Sequence, residues 1–309
     1  MKKKLRNKQW IYVRGNVKKE ILLFLHGGPG MTQMHVAGKF LKDLENDWLI
    51  VDYDQRGAGK SYSLFTPLKS YKIDRYVEDI LEVVLYVKET YKKEKVYLCG
   101  HSWGSMIGIL AAKKYPEHFH AFIGIGQVID TFDGNKLAYN FILNVAKEHQ
   151  DHTLVNALQG ITLPSKKGGN ILRNALEKYH YGFYADREMH LWRDILKDVF
   201  KSKIYNPMDK IKYVFGLLVS LNVTQREVNE FSIQDMKHID VPVFFIQGER
   251  DYISPTPLVE DFMNSLRAPH KDLFIIKETS HYPHYENPLQ FAVFCLLIRE
   301  KGVKNVINY

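Results

Sequence analysis

The sequence predicts an α/β fold, with a mostly parallel, twisted sheet flanked by helices and an inserted helical cap. Two observations support this prediction. Short apolar, β-branched runs alternate with longer segments of helical period, as in parallel strands joined by crossover helices. Between two of these runs, residues 128–238 form a long polar and aromatic stretch in which the alternation stops.

The apolar runs are the predicted strands. They occupy residues 21–25, 48–52, 96–99, 121–126, 241–247 and 272–277. Each run ends in polar or small residues, which is typical of a strand that leads into a loop. Residues 74–91, 103–115 and 288–300 carry apolar side chains at helical spacing and are the predicted covering helices.

The long stretch between the fourth and fifth runs is predicted to be an insert with its own helices. A structureless loop of that length would be unusual in a compact domain, and the stretch has helix-like periods. The predicted organisation is therefore a core at residues 1–127, a cap at residues 128–238 and the rest of the core at residues 239–309.

The composition describes a globular chain with a positive net charge. Its 309 residues are 45% hydrophobic, which is enough for a large core, and the formal net charge is +8. The dense basic cluster is confined to residues 1–8, and elsewhere lysines alternate with acids and aromatic residues. We therefore expect a solvated surface rather than a nucleic-acid partner.

The apolar segments are too short for a membrane span. A secretory signal could begin at the basic residues 1–8, but Arg14 and Gly15 interrupt the apolar run that follows. Residues 213–223 and 291–298 are far shorter than the ~20 residues of a spanning helix. The expectation is a cytoplasmic protein without a membrane span.

Two cysteines, Cys99 and Cys295, are too few for a disulfide framework and lack metal-ligand spacing. We expect both to be buried apolar residues. The chemistry predicted below needs no metal and no cofactor. The oligomeric state does not follow from the sequence.

The sharpest local motif is the G-x-S-x-G pattern from Gly100 to Gly104, which has Ser102 at its centre. It follows the predicted strand at 96–99 and precedes the predicted helix at 103–115, the strand–turn–helix context of a nucleophilic serine. The strained turn demands glycine two residues to either side. An ordinary glycine-rich turn is the alternative, but the flanking elements favour Ser102 as a nucleophile.

A second glycine-rich loop, residues 26–30 (HGGPG), follows the first predicted strand. Its backbone N–H groups would face the nucleophile and hold a developing oxyanion, together with the N–H of Trp103 at a helix start. Gly28 is the preferred donor and Gly27 the next. A tight turn without a chemical role is the alternative, and His26 is expected to be a packed, hydrogen-bonded residue.

The predicted acid and base follow two later strands. Asp251 lies in the loop after residues 241–247, and His281 in the loop after residues 272–277. The resulting chain order of serine, aspartate and histidine is that of a hydrolase triad on an α/β sheet. The imidazole takes the serine proton, and the carboxylate fixes the tautomer of the imidazole.

Other candidates for these two roles are weaker. Asp130 and Asp133 are the substitutes for the acid. His284 lies near the preferred base but further from the strand end, and is expected on the surface or at the pocket wall.

Four segments resemble the proline iminopeptidase-like branch of the α/β hydrolases. They are residues 26–30 (HGGPG), 54–61 (DQRGAGKS), 100–105 (GHSWGS) and 248–251 (GERD). The resemblance implies the α/β-hydrolase fold with eight strands and a helical cap. It also implies a triad of Ser102, Asp251 and His281, with oxyanion donors at Gly28 and Trp103.

The cap departs from the tryptophan–glutamate signature with which family aminopeptidases hold a free amine, because only residues 191–194 (LWRD) come close. We therefore predict a serine hydrolase that forms an acyl-enzyme with a small-molecule carboxylic ester or lactone, macrolide-type lactones included. The alternative is an aminopeptidase of short peptides, with Glu188, Asp194, Glu227 or Glu230 binding the amine. A non-catalytic, hydrolase-like ligand receptor is the minor alternative.

Overall fold

The computed structural model describes residues 9–304, which contain one seven-stranded sheet of order β1-β3-β2-β4-β5-β6-β7. The strands are β1 (Trp10–Gly15), β2 (Ile21–Leu25), β3 (Leu49–Asp54), β4 (Val96–His101), β5 (Phe119–Ile125), β6 (Val243–Gly248) and β7 (Lys271–Ile276). The edge strand β1 pairs antiparallel with β3, and every other pair is parallel.

The six predicted strands are all present, with ends shifted by a few residues. The sequence analysis did not predict β1, and the count of eight strands implied by the resemblance is not met, since the described residues form seven. β1 escapes prediction because it is an antiparallel edge strand whose residues are exposed or half-buried, so it lacks the fully apolar run of the central strands.

Twelve helices surround or follow the strands in the described chain, and the three predicted covering helices are α2, α3 and α12. The helices are α1 (Met34–Phe40), α2 (Ile73–Tyr91), α3 (Trp103–Lys114), α4 (Thr131–Glu148), α5 (His152–Gln159), α6 (Lys166–Lys178), α7 (Leu191–Lys201), α8 (Pro207–Val223), α9 (Gln225–Asn229), α10 (Thr256–Ser265), α11 (Pro283–Glu286) and α12 (Pro288–Lys304).

The sheet is buried on both faces, as the inner strand β2 illustrates. All five residues of β2 are fully buried. Leu23 and Leu25 belong to one apolar cluster, whereas Leu22 and Phe24 belong to a second cluster that includes Phe291 of α12. Because parallel strands covered by helices on both faces need apolar side chains at every position, the run is continuous rather than alternating.

Six helices, α4 to α9, lie between β5 and β6 and are called the cap helices below. Helices α4, α5 and α6 share an apolar cluster of their own, which includes Ile142, Leu158 and Leu172. Tyr213 and Leu217 of α8 instead belong to the cluster of the sheet. The insert therefore packs partly on itself and partly into the main core.

Polar contacts also tie the cap helices to the sheet. Lys60 forms an ion pair with Asp209 of α8 over 2.8 Å. Tyr205, between α7 and α8, donates its hydroxyl hydrogen to Asp54 at the end of β3, with an O–O distance of 2.9 Å. These contacts join the cap to the loop that follows β3.

Two further expectations can be compared with the described residues. Cys99 and Cys295 are both fully buried and both free thiols. None of the helices in residues 9–304 combines the length and the apolar character that crossing a membrane requires.

Candidate active site

Loops at one edge of the sheet bring the predicted site residues together. Strands β2, β4, β6 and β7 run parallel, so their carboxyl ends point to the same edge. Ligand sites of open α/β sheets lie beyond this edge. The loop at residues 26–30, Ser102, Asp251 and His281 follow these four strands in that order.

Ser102 occupies the sharp turn between β4 and α3. Its backbone has φ 53° and ψ −116°, a conformation that costs a non-glycine residue about 1–3 kcal/mol. Neighbouring groups hold the turn: Ser102 N donates to the carbonyl of Ile125 over 2.9 Å, and Ser105 Oγ donates to the Ser102 carbonyl over 2.6 Å. Strained geometry of this kind is typical of a nucleophile held at the top of the sheet.

The glycines on either side of this serine are required by close approach of the backbone. A Cβ on Gly100 would lie 2.3 Å from the carbonyl oxygen of Gly104. A Cβ on Gly104 would lie 2.2 Å from the carbonyl oxygen of Leu25 in β2. Both positions therefore have no space for a side chain, as the motif predicts.

His281 and Asp251 form a buried hydrogen-bonded pair. The Nδ1 of His281 donates to Oδ2 of Asp251 over 2.9 Å, and the two residues are 1% and 0% exposed. The Oδ1 of Asp251 accepts from the backbone N–H groups of Ile253 and Ser254, at 2.9 Å each. Four donors, including Ser254 Oγ at 2.8 Å from Oδ2, thus fix the orientation of the carboxylate.

The other ring nitrogen of His281, Nε2, has no protein partner among the described residues. His281 and Ser102 line the same cavity. With Nδ1 committed to Asp251, Nε2 is the atom available to accept a proton from a hydroxyl.

Two supporting residues were missed by the sequence analysis. Ser254 donates to the carboxylate of Asp251, and His101 donates from Nε2 to the backbone carbonyl of His281 over 2.8 Å. The spacing Asp251-x-x-Ser254, just before α10, is a local signal from which the first contact could have been predicted. The second contact joins segments 180 residues apart, and no local pattern indicates it.

The predicted oxyanion donors divide between two cavities. Gly28 and Trp103 line the cavity of Ser102, whereas Gly27 lines a neighbouring one and packs against His101.

His26 is packed and hydrogen-bonded, as expected: Nδ1 donates to the carbonyl of Gly27 over 2.8 Å, and Nε2 accepts from Gln55 N over 3.1 Å. Burial lowers the pKa of His26 to about 4.

The weaker candidates for acid and base have other partners. Asp130 caps α4 by accepting from Asp133 N, and Asp133 accepts from Gln234 Nε2, both over 2.7 Å. Neither aspartate is bonded to His281. Of these three aspartates, Asp251 is therefore the one that is hydrogen-bonded to the imidazole.

The expectation that His284 lies on the surface or at the pocket wall is wrong. His284 is 0% exposed, and its ring packs against Phe24 of β2 and Phe291 of α12. The first turn of α11 directs this side chain between the sheet and α12, and burial lowers the pKa of His284 to about 3. Its role is packing.

The cavity beside Ser102 has a volume of about 500 Å³. The sheet loops form one side and cap helices the other. Apolar side chains make up much of its wall: Met31, Met106, Val128, Ile129, Leu163, Leu172, Leu176, Phe183, Leu191, Trp192, Leu218, Leu221, Val228, Leu258 and Val259. Its size and character suit a small organic molecule.

The acids considered for binding an amine do not line this cavity. Glu188 and Asp194 line the neighbouring cavity. Glu227 accepts from the backbone N–H of Ile73 over 3.0 Å, and Glu230 pairs with Arg226 over 2.8 Å. Asp130, which was not among those four acids, is the acid in the described wall of the Ser102 cavity.

Comparison with known proteins agrees with the fold. The model of the α/β hydrolase fold family matches residues 20–288. A probable aminopeptidase of Bacillus subtilis (strain 168) is 31% identical over 290 residues, 92% of this chain and 91% of its own length. A proline iminopeptidase of Heyndrickxia coagulans is 34% identical over 278 residues, 87% of each chain. A monoglyceride lipase of Rattus norvegicus is 24% identical over 271 residues, 87% of this chain and 78% of its own.

The chain therefore belongs to the α/β hydrolase fold family of enzymes. Within that family it is a proline iminopeptidase-like α/β hydrolase.

Proposed function

We propose that this hydrolase cleaves a small-molecule carboxylic ester or lactone through an acyl-enzyme formed on Ser102. The observation that supports it best is the arrangement around His281. Its Nδ1 is bonded to Asp251, and its Nε2 is free of partners in the described chain, beside a cavity that also holds the strained Ser102. Such a constellation activates a hydroxyl for nucleophilic attack.

In the proposed reaction, Ser102 Oγ attacks the carbonyl carbon and its proton passes to His281 Nε2. Asp251 holds the imidazole in position and stabilises the imidazolium that forms. The N–H groups of Gly28 and Trp103 receive the oxyanion, and that of Trp103 benefits from the positive end of α3. His281 then protonates the leaving alcohol, and water, deprotonated by the same imidazole, releases the acid from Ser102.

The choice of an ester over a peptide rests on the charge of the cavity wall. An aminopeptidase has to hold the ammonium group of its substrate, and a desolvated ammonium needs a carboxylate partner. Asp130 is the acid in the described wall, and its Oδ1 already accepts from Asp133 N. The apolar remainder of the wall suits an ester or lactone.

An aminopeptidase is the second candidate, favoured by the names of two relatives described above. In that case Asp130 is the group in the wall with the charge to bind the substrate amine. Replacing it by asparagine would then raise KM for free-amine substrates.

The deciding experiment assays the purified protein against p-nitrophenyl acyl esters, proline p-nitroanilide and N-acetylproline p-nitroanilide. We expect turnover of the esters and none of the anilides. Ser102→Ala should lower kcat on esters by at least about a thousandfold, because the nucleophile is lost. Ser63→Ala, at a surface serine whose Oγ accepts from Phe65 N, is the matched control and should keep full activity.

Release from the free-amine anilide but not from its acetylated analogue would instead establish the aminopeptidase. Full esterase activity in the Ser102→Ala variant would disprove the assignment of the nucleophile.

A further inference from the structure

Helix α6 presents a charged face to the active-site cavity. Lys166, Gly169, Asn170 and Arg173 line the cavity and follow one another at i, i+3, i+4 and i+7, so they lie on one side of the helix. Leu172 and Leu176 also reach the cavity wall. The face therefore combines a polar strip with an apolar flank.

Arg173 is the unusual member of this face. Its Nη2 donates to Asn170 Oδ1, and it forms no ion pair with any acid of residues 9–304. Arg173 is exposed, yet desolvation by the surrounding protein lowers its pKa. A side chain that is accessible but surrounded by protein is one that faces a cavity.

The missing carboxylate distinguishes Arg173 from two other arginines of the cap. Arg193 pairs with Asp194 over 2.9 Å, and Arg226 with Glu230 over 2.8 Å. Arg187 and Arg267 also lack a carboxylate partner among the described residues, but neither of them lines the cavity. A partly desolvated guanidinium without a counter-charge costs free energy, which a bound anion would recover.

The balance of charge in the cavity points the same way. Apart from His281 and the tyrosines Tyr252 and Tyr282, the ionisable side chains of its described wall are Lys166, Arg173 and Asp130. The Asp130 carboxylate already caps α4, whereas the two cations carry no ion pair within the described chain. The cap side of the cavity is thus net positive.

We propose that Arg173, with Asn170 and Lys166, binds an anionic group of the substrate at the cap side of the cavity. The planar guanidinium matches the two oxygens of a carboxylate or phosphonate group. The substrate class is then an ester whose apolar body, lying along the leucines of α6, ends in an anion. The inference rests on the proposed function, since it defines the substrate of the same site.

The test compares three esters of similar length: mono-4-nitrophenyl adipate, 4-nitrophenyl 5-phosphonopentanoate and neutral 4-nitrophenyl hexanoate. We expect kcat/KM to favour an anionic ester over the neutral one by roughly tenfold or more, as for a charged hydrogen bond. The two anionic esters distinguish a carboxylate from a phosphonate preference. Arg173→Gln should abolish the advantage by lowering kcat/KM for the anionic esters, and Arg173→Lys should restore part of it.

Arg226→Gln is the matched control, because it removes one positive charge from the cap outside the cavity. It should keep the preference for anionic esters. An equal preference in wild type and Arg173→Gln, or no preference in wild type, would overturn the inference.

A binding experiment separates this inference from the proposed function. Calorimetry with the Ser102→Ala protein measures the affinity for monobenzyl adipate and for its neutral amide, without turnover. Tighter binding of the acid, lost when Arg173→Gln is added, supports the anion site even if no ester is hydrolysed. Equal affinity for acid and amide contradicts the anion site, whatever the esterase assay shows.

Discussion

Ser254 shows how a residue outside the predicted triad can position it. Its N–H donates to Oδ1 of Asp251 and its hydroxyl donates to Oδ2. The side chain of Ser254 therefore helps the backbone to orient the carboxylate. The hydroxyl lies 3.3 Å from Nδ1 of His281, in contact with both members of the pair. We infer that Ser254 acts through Asp251 rather than on the substrate.

Ser254→Ala should lower kcat for the best ester by about tenfold, because the loss of one donor allows the carboxylate, and with it the imidazole, to deviate from its position. A change of about 1–2 kcal/mol in the free energy of unfolding should accompany it. Steady-state kinetics and urea denaturation on the same preparation measure both effects. Ser265→Ala, whose hydroxyl donates to the carbonyl of Phe262 at the other end of α10, is the control. Unchanged kcat in Ser254→Ala would contradict the positioning role.

At the scale of elements, the site depends on how closely α3 approaches β2. The first turn of α3 lies against the end of β2, where Gly104 leaves no space for a Cβ beside the carbonyl of Leu25. Trp103, one residue before Gly104, lines the same cavity as Gly28 of the loop after β2. This steric contact therefore joins the two elements from which the proposed oxyanion donors come.

Gly104→Ala should destabilise the fold by about 1–3 kcal/mol or more, since the methyl group would overlap backbone that cannot rotate away. Gly38→Ala in α1 is the matched control: a Cβ there meets nothing within 4 Å, and alanine favours a helix by up to about 1 kcal/mol. Thermal and urea unfolding of both variants measures the difference. A Gly104→Ala protein as stable as wild type would show that α3 can move away from β2.

At the scale of the whole molecule, a buried polar cluster couples the cap helices to the sheet. Asp54 at the end of β3 accepts from the hydroxyl of Tyr205 and from the backbone N–H of Lys60, at 2.9 and 2.8 Å. Thr32, in the loop after β2, forms a hydrogen bond with the same tyrosine hydroxyl. The carboxyl group therefore lies where cap, sheet and site loop meet.

This cluster predicts a pH dependence of stability. Burial raises the pKa of Asp54 to about 7, so the folded state holds a proton that the unfolded chain releases near pH 4. The stabilisation from Asp54 is thus complete below about pH 4 and decreases as the pH rises to about 7, by up to about 1.4 kcal/mol per pH unit. Urea denaturation of wild type and Asp54→Asn between pH 5 and 8 measures the contribution by difference. A pH-independent difference between the two proteins would contradict the shifted pKa.

By itself, the sequence determined the parallel sheet, the serine turn and the order of the loops that contain Asp251 and His281. Burial on both faces forces continuous apolar runs into the central strands, and close approach forces glycine at positions 100 and 104. Each of these requirements acts on a few consecutive residues, so each can be recognised from a short segment of the sequence. The helical character of the insert followed in the same way from its length and periods.

Only the tertiary structure decided which way particular side chains face. His281 and His284 lie three residues apart, and their separation into cavity and core depends on how α11 meets the sheet and α12. Edge strand β1, the contact of His101 with His281 and the position of Arg173 at the cavity wall likewise depend on distant segments. Such features are set by packing between elements far apart in the chain. The pattern of residues along a segment indicates only the requirements of that segment and its immediate neighbours.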